Sequence, residues 1–357
     1  MTAPAPVDGD AMLLGSESPL AQIYDVALLD LDGVCFAGDA RVDYAADSIN
    51  GARAHGMTLS FVTNNASRAP QAVVDKLSRN DIRASPDEVF SAAMDAAALL
   101  RERLAEGSPV LVVGGEGLRS ALAAEGFTVV ASADDRPAAV VQGWDPAVDW
   151  AMMSEGLYAI ADGALHVATN LDATLPTERG FALGNGSLVA AIANASGREP
   201  LAGGKPFPGI YERALARAGG SAPLAVGDRL NTDHVGARAA GIPGLHVLTG
   251  VSTARDVVLA RPEERPAYLH TDLRGLLEPH PRPVHERRGE ETEWIVGATH
   301  CRIHDDVVLL DDEVALTGRE AEITLNAYRA LACAMWDHLD RHAGAPAPSI
   351  PDIRVRA

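Results

Sequence analysis

The sequence predicts an α/β fold built on a parallel sheet, from three observations. Short apolar runs alternate with helical patterns from Tyr24 to about Leu277. The runs are continuously apolar, as strands covered on both faces are, where a half-exposed strand would alternate. Several helical stretches stop at glycine, which supplies the left-handed residue that closes a helix.

In chain order the strand-like runs are "VALLDLD", "LSFVTNN", "VLVVGG", "AAVVQGW", "LHVATN", "PLAVGD" and "GLHVLTG". Between them "AADSINGARAHG", "PQAVVDKLSRND", "NGSLVAAIANASG", "PGIYERALARAGG" and "TDHVGARAAG" read as helices, several ending at Gly56, Gly197, Gly219 or Gly241. Turn-rich breaks at "ASPDEV", near Ala84, and "GREPLAGG", near Gly197, enclose a block with its own strands and helices. The expected organisation is a disordered arm over 1–20, a core from 21–84 and 200–279, an inserted α/β domain over 85–199, and a linker with a small α+β appendage over 280–357. Within that last part, "EPHPRPVHERRGEE" reads as the linker. Trp294–Ala298 and Val307–Leu310 read as strands, and Arg319–His342 as a long helix with Tyr328, Leu331, Met335 and Leu339 on one face. Such a stripe covers either the core domain or a second subunit, which leaves a homodimer open.

Composition narrows the function. With 30 basic against 49 acidic side chains the net charge is −19, which disfavours a nucleic-acid partner. No run reaches the length of a membrane span, and the first residues lack the basic start and apolar core of a signal peptide, so a cytoplasmic location is expected. Three scattered cysteines match no disulfide framework and no zinc spacing. Cys35 stands close to two aspartates, which leaves its oxidation open.

The chemistry lies at the strand ends. Ligands of an open parallel sheet bind beyond the carboxyl ends of its strands. There the sequence places Asp30 and Asp32, with Gly33 permitting the turn after them, then Thr63 and Asn64, Lys205 in "GGKPFP", Asp228, and Asp233 five residues further on. Carboxylates converging at strand ends suit a hard cation such as magnesium. A carboxylate can attack phosphorus, and a second can protonate the leaving oxygen and then activate water. A threonine hydroxyl and a lysine ammonium can hold the phosphoryl oxygens.

At these residues the sequence resembles the haloacid dehalogenase (HAD) superfamily. "DLDGV", "FVTNNAS", "GGKPFP" and "GDRLNTD" look like its four ordered motifs, and the inserted block, with "ATNLDATLP" and "GNGSLVAAI", looks like the α/β cap of the NagD-like, p-nitrophenylphosphatase-like branch. The resemblance covers roughly residues 24 to 277, and no motif position departs from the pattern. It implies a Rossmann-like parallel-sheet core and a magnesium-dependent phosphomonoesterase. It implies Asp30 as nucleophile and metal ligand, and Asp32 as general acid and base with its carbonyl on the metal. Thr63 and Asn64 would bind phosphate. Lys205 would neutralise the nucleophile and the transferring phosphoryl. Asp228 would be the second metal carboxylate, with Asp233 in support.

Plainer readings stand beside these. Asp30 and Asp32 could form an Asx turn, Thr63 and Asn64 could cap a helix, Lys205 alone could be a solvated charge, and Asp233 could be a charge at a helix start. "VVGGEGLRS" has Gly115 and Gly117 of a dinucleotide loop, but Ser120 replaces the third glycine, so it reads as an ordinary strand-to-helix turn. The leaving group would meet the loop "NLDATLPTERG", with Asn170, Asp172, Leu175, Glu178 and Arg179. This loop holds no aromatic platform, which favours glycerol 3-phosphate or another small polyol or acid phosphate. Phosphoglycolate, nucleotide or sugar phosphates are the broader alternative within enzymes. A non-catalytic, phosphometabolite-binding scaffold is the alternative outside them, and the pairing of Asp30 with Asp32 argues against it.

Overall fold

The computed structural model describes residues 12–177, 179–289, 291–313, 316 and 318–356. It falls into two compact units, one of residues 12–59, 80–82 and 218–356, the other of 60–79 and 83–217.

In the first unit the strand Val26–Leu29 is buried at every position. Its neighbour is Pro223–Gly227, in parallel register from Val26 opposite Pro223 to Leu29 opposite Val226. Gly244–Val247 and then Tyr268–His270 extend the parallel sheet on that side. Thr58 N–H donates to the Asp25 carbonyl at 2.9 Å, where the next strand, Thr58–Thr63, begins. Gly56, Gly197, Gly219 and Gly241 all have φ between +67° and +92°, the left-handed conformation expected of helix ends.

The remainder of this unit is richer in strands than the sequence suggests. Val284–Arg288, Glu291–Val296, Thr299–His304 and Val307–Leu310 form an antiparallel four-stranded sheet, so part of the expected linker is a strand. Val284–Arg288 is exposed along its whole length, and an edge strand with no buried face leaves no hydrophobic pattern to read. The long helix is shorter than expected. Glu320–Thr324 is a strand paired in parallel with Asp352–Arg356, and the helix is Leu325–Arg341, opened by the Thr324 hydroxyl accepting from Ala327 N–H. Tyr328, Leu331, Met335 and Trp336 on this helix are fully buried against Trp294, Val296, Cys301, Val257, Val258 and Leu269. The apolar stripe is thus consumed within the unit. Residues 12–20, expected as part of a disordered arm, are tied down by Leu13 and Leu20 in the core and by backbone bonds from Leu14 to Ala267 and between Ser16 and His280.

The second unit has a parallel sheet in the order Leu201–Ala202, Leu165–Ala168, Ala139–Gln142, Pro109–Val113, Thr128–Val130. Side chains alternate across it. Val110, Val112, Ala139 and Val141 pack on Ala93, Ala97, Leu100, Leu118 and Leu122 of two helices, Ala92–Arg101 and Glu116–Ala124. Leu111, Val113 and Val140 face Ala159, Ile160 and Ile192 of Trp150–Ala161 and Asn185–Ser196. Both faces are covered, which is why these strands read as unbroken apolar runs. Gly115 is the residue before the helix Glu116–Ala124, the ordinary strand-to-helix turn expected of "VVGGEGLRS".

A buried polar knot joins the helix Leu325–Arg341 to the parallel sheet of the first unit. Arg329 donates from Nε and Nη2 to the Leu269 carbonyl, and from Nη2 to His280 Nδ1 at 3.2 Å. With Nδ1 accepting, the imidazole proton sits on Nε2 and donates to the Gly275 carbonyl at 2.8 Å. Burial, reinforced by the Arg329 charge, pushes the His280 pKa down to about 3. The folded state therefore keeps His280 neutral, while the unfolded chain takes up a proton below about pH 6.5. Stability contributed this way is present above that pH and is lost as pH falls from 6.5 toward 3. Urea unfolding at pH 7 and pH 5 checks this. The wild-type loss should exceed that of His280→Gln by about 2 kcal/mol, and equal losses would show that His280 is not the group responsible.

Candidate active site

The strand Val26–Leu29 ends at Asp30, whose N–H is fixed by the Val226 carbonyl at 2.9 Å. The adjacent strand ends at Gly227, and Asp228 follows. Asp233 lies in the turn Leu230–His234, where its carboxylate accepts from Arg229 N–H at 3.1 Å. One carboxylate oxygen from each of Asp30, Asp228 and Asp233 lies within 4.8 Å of the others. Asp228 and Asp233 are 0% and 1% exposed, and Asp30 is half-buried.

Three carboxylates this close and this dry repel one another and lose hydration, a balance that a divalent cation restores. All-oxygen donors suit magnesium, and the surroundings fit a built site. Val251 N–H donates to Asp228 Oδ2 at 2.7 Å. A Cβ on Gly33 would lie 2.5 Å from that same oxygen, and one on Gly250 would overlap it. Beneath the cluster His246 meets the Asp228 carbonyl at 3.1 Å, and full burial, then His234 beside it, holds its pKa well below the usual range. Asp32 is exposed, two residues past Asp30 in a tight turn. There Gly33 takes φ +91° and donates to the Phe36 carbonyl at 2.7 Å. Cys35 is 1% exposed and its thiol donates to the Asp30 carbonyl at 3.3 Å.

The second unit assembles the other expected residues. Thr63 ends its strand 4% exposed and accepts from Asn65 N–H at 3.1 Å, closing a local turn and not capping the helix that begins at Pro70. Asn64 grips the Lys205 backbone on both sides. Its Oδ1 accepts Lys205 N–H at 2.7 Å and its Nδ2 donates to the Lys205 carbonyl at 3.0 Å. Lys205 is 3% exposed, with Nζ donating to the Val62 carbonyl at 3.3 Å, so it is no solvated surface charge. Asn170 donates to the Asn64 carbonyl at 2.9 Å, and Asn64 Nδ2 also reaches Asp172 Oδ2 at 3.0 Å. Leu175 is half-buried in a hairpin of Thr174–Thr177 with Gly180–Leu183. Arg179 is exposed in its turn, its N–H on the Thr177 hydroxyl. Glu178 lies outside the described residues.

Sequence reading missed three features. The hairpin carries Phe181, 77% exposed and opposite Pro176, so an aromatic ring does stand beside the expected loop. Asn185 donates to the Asn170 carbonyl at 2.8 Å and orients that residue from below. Asp95 is fully buried behind the Lys205 loop. A lone acidic residue within "AAMDAAALL" was a signal in the sequence, because an acid on an otherwise apolar helix face needs a partner.

Two family profiles match, one described as haloacid dehalogenase-like hydrolase over residues 27–128 and one as HAD-hydrolase-like over 202–276. A D-glycerol 3-phosphate phosphatase of Mycobacterium tuberculosis is 42% identical over 327 residues, 89% of this chain and 87% of that protein. The chain belongs to the haloacid dehalogenase-like hydrolases. An acid sugar phosphatase of Staphylococcus haemolyticus is 33% identical to this hydrolase over 252 residues, 70% of this chain and 94% of that one. Crystal structures of a glycerol phosphate phosphatase from Mycobacterium tuberculosis, in complex with calcium and with magnesium, superpose with TM-scores of 0.79 and 0.77 at 38% and 37% identity, covering 95% of both chains. The match therefore includes the C-terminal appendage. This HAD-like hydrolase is a phosphatase with magnesium as cofactor. Among its described residues no helix is long and apolar enough to cross a membrane.

The packing of Gly250 against Asp228 gives a direct test. Gly250→Ala should weaken magnesium binding roughly 10-fold to 100-fold, the range seen when groups behind metal ligands are disturbed. Isothermal titration calorimetry measures it, with circular dichroism to confirm the fold. Wild-type affinity in the variant would show that this glycine does not shape the metal site.

Proposed function

We propose that this enzyme hydrolyses glycerol 3-phosphate through a phosphorylated Asp30. The observation that carries the mechanism is the cluster of Asp30, Asp228 and Asp233 at the strand ends, with Asp32 two residues beyond the first. Asp30 attacks phosphorus and the ester oxygen leaves with a proton from Asp32. Asp32 then takes a proton from the water that hydrolyses the aspartyl-phosphate, so both carboxyl groups return to their starting state. Asp30, Asp228 and the Asp32 carbonyl would hold magnesium, supported by Asp233. Bound there, the ion supplies positive charge that offsets the phosphoryl oxygens. Thr63 and Asn64 bind the phosphoryl group, and Lys205 neutralises charge on it and on the nucleophile.

Residues 85–199 act in this reading as a cap that shuts out water and selects the leaving group. The similarity to a D-glycerol 3-phosphate phosphatase supports the substrate. So does Asp172, held on Asn64, since its carboxylate suits hydroxyl donors and repels an acid such as phosphoglycolate. Phe181 favours a second, broader reading in which nucleoside monophosphates or aryl esters are also accepted, the ring stacking on theirs. The acidic balance of the chain supports small metabolites over nucleic acid, and a cytoplasmic setting fits both readings.

Phosphate release with magnesium from glycerol 3-phosphate, phosphoglycolate, pyridoxal phosphate, a nucleoside monophosphate and a sugar phosphate tests this. Glycerol 3-phosphate should be preferred, and Asp30→Asn should lower kcat by about 10³-fold or more, as loss of a covalent nucleophile does. Preference for another ester would keep the mechanism and overturn the substrate. No release from any would overturn both and favour the scaffold alternative.

A further inference from the structure

Asp95 is 0% exposed, on the buried face of the helix Ala92–Arg101. A buried carboxylate is costly, and here burial raises its pKa above the usual range against the opposing pull of its partners. It has two partners in its own unit. Arg213 Nη1 donates to Oδ1 at 2.7 Å, and Gly204 N–H donates to Oδ2 at 2.7 Å. Arg213 is shared, since its Nη2 and Nε also donate to Glu102 at 2.7 and 3.2 Å. An ion pair for Arg213 needs no buried acid, because half-exposed Glu102 already supplies one. What the interior position adds is the bond to Gly204, the residue immediately before Lys205.

The loop is built to receive that bond. A Cβ on Gly203 would stand 2.7 Å from Asp95 Oδ2, so only glycine admits the carboxylate there. Gly204 takes φ +72°, and a Cβ on it would lie 2.5 Å from the Thr169 carbonyl and 2.9 Å from Asn64 Oδ1. Asn64 clasps the peptide groups of Lys205 itself. The backbone leading into the lysine is therefore fixed by Asp95 and the lysine's own backbone by Asn64.

Resting on the function proposed above, we infer that Asp95 is a positioning residue for this phosphatase: it holds the Gly203–Gly204 turn so that the Lys205 ammonium is presented in one place. A charge that acts on the phosphoryl group in the transition state loses effect when its anchor loosens, so kcat falls while KM changes little.

Asp95→Asn isolates the bond. Its amide keeps one oxygen, and the guanidinium, forming the stronger charge-assisted bond, claims it. An NH₂ then faces Gly204 N–H and the turn loses its acceptor. In Asp95→Asn/Arg213→Met the competitor is gone, and the amide oxygen can turn back to Gly204. The experiment measures kcat and KM on glycerol 3-phosphate and p-nitrophenyl phosphate, with hydrogen exchange of the peptide spanning 203–205. The single variant should lose roughly 10-fold to 100-fold in kcat, with KM within about threefold and faster exchange at Gly204. The double variant should recover most of the kcat and the protection. Wild-type kcat and protection in Asp95→Asn would overturn the inference. So would a double variant no better than the single, which would assign the effect to the ion pair. If wild-type enzyme released no phosphate from any ester, the proposed function would fall, and exchange at Gly204 would still decide whether Asp95 holds the turn.

Discussion

Crowding of negative charge at the carboxyl ends of parallel strands is the constraint around which the first unit is arranged. Asp30, Asp228 and Asp233 gather where strand termini leave backbone groups and space, and two of the three are almost fully withdrawn from water. A cation among the carboxylates relieves their repulsion and lost hydration, which couples affinity for the ion to the fold. The glycines at 33 and 250 follow from it, since any larger residue would invade the Asp228 carboxylate. The turn after Asp30, which leaves Asp32 exposed, follows too. In the proposed mechanism Asp30 is held for the metal and Asp32 is left where a proton can be exchanged.

In the second unit the corresponding problem is a buried positive charge. Lys205 is nearly inaccessible, and its loop is fixed by side chains acting on the backbone, with Asn64 on the lysine peptide groups and Asp95 on the glycine before it. Backbone restraint fixes where the flexible side chain starts, and burial limits the four-carbon stem that carries the charge. The chain Asn185–Asn170–Asn64 ties the same loop to the start of the helix Asn185–Ser196, so residues expected to contact substrate and residues expected to bind phosphate share hydrogen bonds.

The appendage illustrates how pattern can be present and still misread. The stripe of Tyr328, Leu331 and Met335 was legible at helical spacing and is buried as such. The helix start was not legible, because Glu320–Thr324 alternates apolar and polar residues over only five positions before the helical period takes over. Val284–Arg288 sits in a charge-rich stretch with no buried face, and its pairing is decided by Glu291–Val296 opposite it. Arg329 gave no sign of its role, since a helical arginine is ordinarily solvated. Its burial depends on the Leu269 carbonyl and on His280, both distant in sequence.

By itself the sequence determined the α/β class and the family, and it named the residues that the proposed chemistry uses. The class rests on local rules, unbroken apolar runs for covered strands and glycine for left-handed helix ends, and the family on four motifs in order. Tertiary structure decided which of those groups meet and what restrains them. That Asp233 joins Asp30 and Asp228, that Asn64 just past its strand holds Lys205, and that Asp95 reaches Gly204 all depend on contacts between residues far apart in the chain. Such contacts leave no local pattern, because a hydrogen bond or a charge cluster is satisfied by proximity in space, and sequence spacing constrains proximity only within a single helix or strand.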